Sequence, residues 1–313
     1  MRKLRFSVVI SVFNKEGFIG NTIQSVLNQT VQDFEIIVVN DCSTDQSEEE
    51  ILNISDDRIT YHNFKENQGA GATRNKGLSL AKGKYIALLD GDDLWYPNYL
   101  KEIENVISQF PTHKIFATAI DIEEHDGMRP SSYSFENETN ETHLSLDYFT
   151  SSYKNTLLTS SSTVIESSVF EEIGNYDASI KSGQDTDLWI RLGLAYKIAF
   201  SVIPSARYLH APLSLYKGIR SVNDRPNFEK YIPYEKSNAG LKKFLDLNRF
   251  SLAIRAKIWN ENKEAQKFIE QIDLSNLNSK QRKLLLRSGS QLKILFKTKK
   301  VLEKLGLRLS AFS

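Results

Sequence analysis

Short runs of consecutive apolar residues punctuate the first part of the chain, and each stops at a polar cluster. Phe6 to Phe13 (FSVVISVF), Phe34 to Val39 (FEIIVV) and Tyr85 to Leu89 (YIALL) have the length and composition of strands buried on both faces. Ile59 to Phe64 reads as a shorter, more polar strand. Between these runs the apolar spacing becomes helical. Phe18, Ile19, Ile23, Val26 and Leu27 share one face, a polar helix covers about Thr44 to Asn53, and a third helix opens within Asn67–Asn75 and runs through Leu80. The β-α-β-α-β-α-β alternation predicts a parallel sheet wrapped by helices.

Beyond Pro97 the pattern loosens. A helix from about Tyr99 to Phe110 and a strand from Lys114 to Ile120 are expected, followed by an acidic and polar stretch, 122–145, that reads as a loop. A Ser/Thr-rich segment, 159–163, leads into Val164-Ile165 and a helix over Val169 to Ile173. Ser182 to Leu192 reads as the start of another helix, with Asp187 and Arg191 placed to pair on its surface. From Asn227 the chain is helical in pattern. Its last part puts Leu285, Leu292, Leu295, Leu302, Leu305 and Leu309 on roughly one face, with Gly289 and Gly306 weakening the helix. The expected organisation is a first half, 1–115, a second half, 116–225, and a helical extension, 226–313.

Composition is ordinary for a soluble globular chain of 313 residues, with 40% hydrophobic and 25% charged residues. The single Cys42 excludes an internal disulfide framework and a cysteine zinc site, and suits a reducing compartment. There is no secretory pattern before the first strand and no window of apolar residues long enough for a transmembrane helix. A cytoplasmic setting is therefore expected, and no nucleic-acid partner. The net charge of +1 conceals an asymmetry: residues 280–313 hold ten Lys/Arg against Glu303, giving +9, so the rest sums to −8. Such a tail suits an anionic membrane surface on the cytoplasmic face, or equally the acidic body of the chain or a partner subunit.

Candidate chemistry gathers where the strands end. Asp90-Gly91-Asp92-Asp93 follows the Tyr85 run directly, at the sheet edge where open α/β folds bind ligands. Taken alone, these are also ordinary turn residues. A calcium loop of the EF-hand kind needs a Glu where Lys101 stands. Clustered carboxylates without basic neighbours suit a hard divalent cation holding a diphosphate. Asn14 to Glu16 and Asp41 reach the same edge. Asp41 is placed either to accept a hydrogen bond from a base N–H or to serve a helix start, and Phe13 either to pack on a base or to join the core. The glycine loop G-A-G-A-T-R has Arg74 where the third glycine of the dinucleotide fingerprint belongs, and no GxxxxGK[ST] occurs. Arg74 then presents its charge to base or phosphate, or lies on a helix surface. Asp185 precedes an amphipathic helix and is a candidate general base or a cap. His210 is a lone histidine and is left outside the site.

Four blocks, VVISVFNKEGFI, FEIIVVNDCSTD, NQGAGATRNKGLSLAKGKYIALLDGDDLWYP and GQDTDLWIRL, resemble the inverting glycosyltransferases of family 2, over roughly residues 5–220. The resemblance implies a GT-A fold: a Rossmann-like, mostly parallel sheet flanked by helices, with a C-terminal helical extension. It also implies that Phe13 and Asp41 bracket the nucleobase, usually uracil, with Ser11 and Glu16 close by and Arg74 along the nucleotide. Asp92 would touch the ribose, Asp93 would ligate Mn2+ or Mg2+, and Asp185 would be the base. The donor would be a nucleoside-diphosphate sugar and the acceptor a saccharide or lipid-linked saccharide. The chain departs from the family pattern at Ser11, Phe13 and Gln184, and lacks a histidine within Tyr216–Ser221, leaving the roles of Lys217 and Arg220 open. A nucleotidyltransferase would carry a Gly/Arg/Lys-rich loop after the first strand, and SVFNKEGF is not one. A non-catalytic sugar-nucleotide-binding module is the other alternative.

Overall fold

The computed structural model describes residues 4–124, 127–136, 140–209 and 221–304. The predicted alternation appears as β1 (Phe6–Val12), α1 (Ile19–Leu27), β2 (Phe34–Asn40), α2 (Ser47–Leu52), β3 (Ile59–Asn63), α3 (Ala70–Leu80) and β4 (Tyr85–Asp90). These strands pair in the order β3-β2-β1-β4, parallel throughout. Both faces of β1 are covered. Phe6, Val8, Ile10 and Val12 pack with Ile19, Ile23 and Val26 of α1, while Val9 joins Ile37 and Leu88 on the other side. That is why its sequence is a continuous apolar run.

Past β4 the sheet becomes mixed. The chain continues through β5 (Leu94–Trp95), α4 (Tyr99–Gln109), β6 (Ile115–Glu124), β7 (Gly127–Pro130), β8 (His143–Leu146), α5 (Tyr148–Ser151), a 3₁₀ turn at Ser160–Ser162, β9 (Thr163–Glu166), α6 (Val169–Ile173), α7 (Gln184–Ala195) and β10 (Ile198–Tyr208). β9 inserts antiparallel between β4 and β6, and β10 runs parallel to β6.

Three expectations change. Residues 122–145 are not a plain loop: β6 continues to Glu124, β7 pairs back on it, and β8 pairs with β10. These are polar edge strands, so they lack the apolar run that marks a buried one. β10 escaped prediction because Pro204 and a register shift between Ser201 and Ala206 interrupt it. The Asp187–Arg191 pair forms at 3.0 Å, yet Asp187 is fully buried. Its carboxylate also accepts from Lys230 at 2.5 Å and the Tyr231 hydroxyl at 2.7 Å, so it ties α7 to the C-terminal segment.

That segment contains α8 (Ile232–Glu235), α9 (Ala239–Trp259), α10 (Asn262–Glu270), α11 (Ser279–Leu285) and α12 (Gly289–Lys304). Phe244 of α9 packs its ring 5.4 Å from Tyr148 and 5.7 Å from Phe149 of α5, in the same core as Trp189 of α7. The leucine face of the tail divides. Leu285 and Leu292 are buried against Phe250 and Ala253, whereas Leu295 is 46% exposed. The Leu302 side chain, Leu305, Gly306 and Leu309 lie outside the described residues. Among the described residues, no helix is long and apolar enough to cross a membrane.

Candidate active site

The loops after β1 and β2 are bound to each other. Asn14 and Cys42 both adopt left-handed backbone, with φ of 51° and 58°. The Asn14 side-chain oxygen accepts from the Thr44 amide at 2.8 Å, and Ser43 Oγ accepts from the Asn14 amide at 3.0 Å. Non-glycine residues in this region are uncommon and cluster at functional sites. Asp41 is buried, and its two carboxylate oxygens accept from the Gln68 and Gly69 amides at 2.7 and 2.9 Å. It thereby fixes the glycine loop where α3 begins. α3 in turn sits so close to β1 that a Cβ on Gly77 would fall 2.2 Å from Val9 Cγ1. This close approach brings Arg74 to the sheet edge.

Each of the three clustered aspartates has a different partner. Asp90 pairs with Arg74 Nη2 at 2.6 Å, and Asp92 pairs with Lys15 Nζ at 2.5 Å. Asp93 is buried and accepts from Ser161 Oγ at 2.5 Å and the Leu209 amide at 3.0 Å. Ser161 also accepts from the Asp90 amide at 3.2 Å, and its carbonyl receives the Trp95 indole N–H at 2.8 Å. Burial, followed by the charges of Asp90 and Asp92, pushes Asp93 well above the ordinary carboxylate range, with Ser161 and the Leu209 amide opposing. Burial also raises Asp92, against the pull of Lys15.

Asp185 opens α7, just after Gly183 at φ 84°. Its Oδ1 lies 3.4 Å from Arg74 Nη1 and accepts from Ser160 Oγ at 3.3 Å. Among the described residues Arg74 Nη1 has no hydrogen-bond partner, and the guanidinium stands 5.4 Å from the Tyr176 ring centre. Asn75 clasps the Tyr176 backbone with two hydrogen bonds of 2.9 Å, holding that ring in place. Burial raises the Asp185 pKa, Arg74 lowers it, and Asp90 adds to the rise. Burial alone would favour loss of the Arg74 proton, but Asp185 and Asp90 outweigh it and hold the cation.

Two neighbouring cavities meet here. The first, of about 220 Å3, is lined by Ser11, Phe13, Lys15, Asp41, Arg74 and Asp92 among others. The second, of about 430 Å3, opens towards α5 and α9. Asp90, Asp185 and Tyr208 line both. The structure thus gathers Ser11, Phe13, Asp41, Arg74, Asp92 and Asp185 around one cleft, with Asp93 buried behind it. Glu16 is not brought in: it is exposed, and its carboxylate accepts from the Gln46 amide at 3.1 Å. Lys15, Ser161 and Tyr208 were missed. Lys15 shares the loop after β1 with predicted residues, so its position was a usable signal. Nothing local marks Ser161 within its Ser/Thr run. Tyr208 ends a strand that was not anticipated, and burial together with Asp93, Asp90 and Asp92 pushes its hydroxyl up to about 12. His210, Lys217 and Arg220 lie outside the described residues.

Among the described residues, no group of three or more His, Cys, Asp or Glu side chains is arranged to hold a metal unaided. The expectation of a cluster without basic neighbours fails at Asp90, which pairs with Arg74, and at Asp92, which pairs with Lys15, but Asp93 still fits Mg2+ or Mn2+. Mg2+ is commonly bound by one or two carboxylates completed by substrate phosphates. Among the described residues no cationic side chain pairs with the buried Asp93, so its charge lacks a counterion that such an ion would supply.

A parallel nucleotide-binding-type half, a mixed second half and an acidic cluster at their seam define the GT-A fold of glycosyltransferases. Staphylococcus aureus TarS has a similar fold: the match has a TM-score of 0.64 at 21% identity, over 90% of this chain and 52% of that one. Its residues 1–349 in complex with UDP-GlcNAc match with a TM-score of 0.59 at 17% identity, over 87% and 91% of the two chains. The family model for glycosyl transferase family 2 matches residues 7–174, and the chain belongs to that family. An uncharacterized glycosyltransferase of Rickettsia prowazekii (strain Madrid E), RP339, is 32% identical over 198 residues, 62% of this chain and 60% of its own length. The Escherichia coli UDP-Glc:alpha-D-GlcNAc-diphosphoundecaprenol beta-1,3-glucosyltransferase WfaP is 39% identical over 110 residues, 35% of this chain and 43% of its own.

Proposed function

We propose that the chain is a metal-dependent inverting glycosyltransferase that moves a sugar from a nucleoside-diphosphate donor, UDP foremost, to a hydroxyl of a saccharide or lipid-linked saccharide in polysaccharide or glycoconjugate synthesis. The observation that carries this is the position of Asp185 on the boundary between two cavities. The first cavity takes the donor. Phe13 and Asp41 flank the base, with Ser11 beside them, and Asp92 faces the ribose. Asp93, with Asp92 beside it, would hold Mg2+ or Mn2+, which when bound supplies positive charge against the departing diphosphate.

Asp185 takes the proton of the acceptor hydroxyl as that oxygen bonds to the anomeric carbon, and the bond from that carbon to the diphosphate breaks on the opposite face. The anomeric configuration therefore inverts, and the proton leaves Asp185 to solvent afterwards. Arg74 lies between Asp90 and Asp185, so it holds the base ionised and in place. The family membership, the UDP-GlcNAc complex of the similarly folded TarS and the glucosyltransferase activity that WfaP is named for support this assignment.

A thermal-shift and donor-hydrolysis screen of nucleotide sugars with Mn2+ tests it. A UDP-sugar is expected to give the largest metal-dependent stabilisation, and Asp93→Ala is expected to abolish the metal dependence. A metal effect that survives Asp93→Ala would remove the ligand assignment. Peripheral contact with an anionic membrane through 280–313 belongs to the same proposal. It is supported by the exposure of Ile294 and Phe296 next to Lys293 and Lys297. Co-sedimentation with phosphatidylglycerol vesicles should fall in Lys293→Glu/Lys297→Glu, and undiminished partitioning would remove that contact.

A further inference from the structure

The second cavity is not closed by the family region alone. One of its walls is α9, which begins at Ala239, well past the end of the family match at residue 174. From α9 the residues Phe244, Leu247, Asn248 and Ser251 line it, together with Tyr148, Tyr153 and Trp189. The charges of its lining are distributed unevenly. Asp90 and Asp185 stand at the inner end, next to the first cavity, and Lys154, which is exposed, is the one lining cation among the described residues. Among the described residues, no cluster of Arg or Lys lines it to take a phosphate, which is recognised by charge-assisted, often bidentate, contacts. The remaining lining alternates aromatic or aliphatic surface with Ser, Thr and Asn groups, the pattern of a site for a neutral, hydroxyl-rich ligand.

Two of these polar groups have a fixed sense. The Asn248 side chain is 2.9 Å from the Phe244 carbonyl, and only its NH2 can donate to that oxygen. Its second N–H and its oxygen remain available. Ser251 donates to the Leu247 carbonyl at 3.1 Å, which leaves the hydroxyl lone pairs available. Asn248 and Ser251 stand three residues apart on one face of α9, so both present hydrogen-bonding groups to the same space. A pair that can both donate and accept matches sugar hydroxyls, which do both.

We propose that α9 is the acceptor-selecting wall of this enzyme: Asn248 and Ser251 hydrogen-bond with hydroxyls of an uncharged pyranoside. This rests on the assignment of Asp185 as base, because the same cavity brings a third hydroxyl to that carboxylate. The charged part of a lipid-linked acceptor then lies outside the cavity, and the terminal sugar alone is read by α9.

Saturation-transfer NMR on the full chain with UDP and Mg2+ tests this without turnover. The probes are the p-nitrophenyl pyranosides of glucose, galactose, mannose and N-acetylglucosamine, with glucose 1-phosphate as the charged competitor. At least one pyranoside is expected to bind, and Asn248→Ala and Ser251→Ala are each expected to weaken it about tenfold, the scale of one lost hydrogen bond. UDP affinity and melting temperature should stay unchanged, and Ser251→Thr, which keeps the hydroxyl, should retain binding. Pyranoside binding that is unaffected in both alanine variants, binding of none of the four, or preference for glucose 1-phosphate would overturn the inference. If Asp185→Asn transfers sugar normally while the α9 variants lose pyranoside binding, the base assignment fails and the acceptor wall stands.

Discussion

The two cavities share Asp90, Asp185 and Tyr208 but are built in opposite ways. The first is assembled mainly from loops that directly follow β1, β2 and β4, together with the start of α3. Apart from 181–185 and Tyr208, its lining lies at or after the ends of β1, β2, β3 and β4. The second is assembled from 152–160, the start of α7 and one face of α9, segments separated by tens of residues and joined only by packing. A parallel sheet delivers consecutive strand ends to one edge whatever the loops contain. A wall made from a loop, a helix start and a distant helix has no such rule. The first cavity can therefore be conserved by topology, while the second can be altered by changing one helix face.

Arg74 offers the strongest test of how the cavities are coupled, because it touches the seam from the first cavity's side. Arg74→Met is expected to lower kcat by about a hundredfold, within the range for a disturbed general base. The sign of its pH effect follows from the charges. As the proposed base, Asp185 would act when ionised; burial already raises its pKa, and Arg74 pulls it down. Removing Arg74 lifts the pKa further, so the acidic limb of the kcat/KM profile should move to higher pH. A limb that stays in place would mean that Arg74 does not tune the base.

A smaller effect is expected at Ser161, which crosses the division from the other side: a residue of the second half bonds a carboxylate of the first. Ser161→Ala removes a hydrogen bond to the charged form of Asp93, worth roughly 1.5–3 kcal/mol. Metal-dependent donor binding should weaken by about tenfold, which is that range at its lower end. The loss should grow as pH falls, because Asp93, already raised by burial and by its neighbours, then protonates more readily. A donor affinity independent of Ser161 would show that the aspartate cluster is held by the first half alone.

These differences explain what could be read from the sequence. β1, β2 and β4 were legible because strands covered on both faces become continuous apolar runs, and Ser11, Phe13, Asp41 and Asp92 were legible because they end or follow those strands. Glu16 was misplaced because a residue two positions beyond Asn14 can turn either way, and Asn14 in its left-handed conformation turns the chain so that Glu16 joins the Gln46 amide instead. β7, β8 and β10 were invisible as strands because edge exposure, a proline and a register shift erase the period that a buried strand shows. The Asp187–Arg191 spacing gave the pair correctly but not its burial, since Tyr231 and Lys230, which cover it, arrive from more than forty residues away. Ser161 and the α9 wall had no local signature, because their roles exist only once the second half has packed.

The most direct test of the seam is a single-turnover comparison of the wild-type chain with Asp185→Asn, using a UDP-sugar donor and its acceptor. Glycosyl transfer is expected to slow by about a thousandfold, within the range for a lost general base. The donor dissociation constant should change by no more than about twofold, since only the proton acceptor of the transition state has been removed. Transfer by Asp185→Asn at the wild-type rate would contradict the assignment of Asp185 as the base between the two cavities.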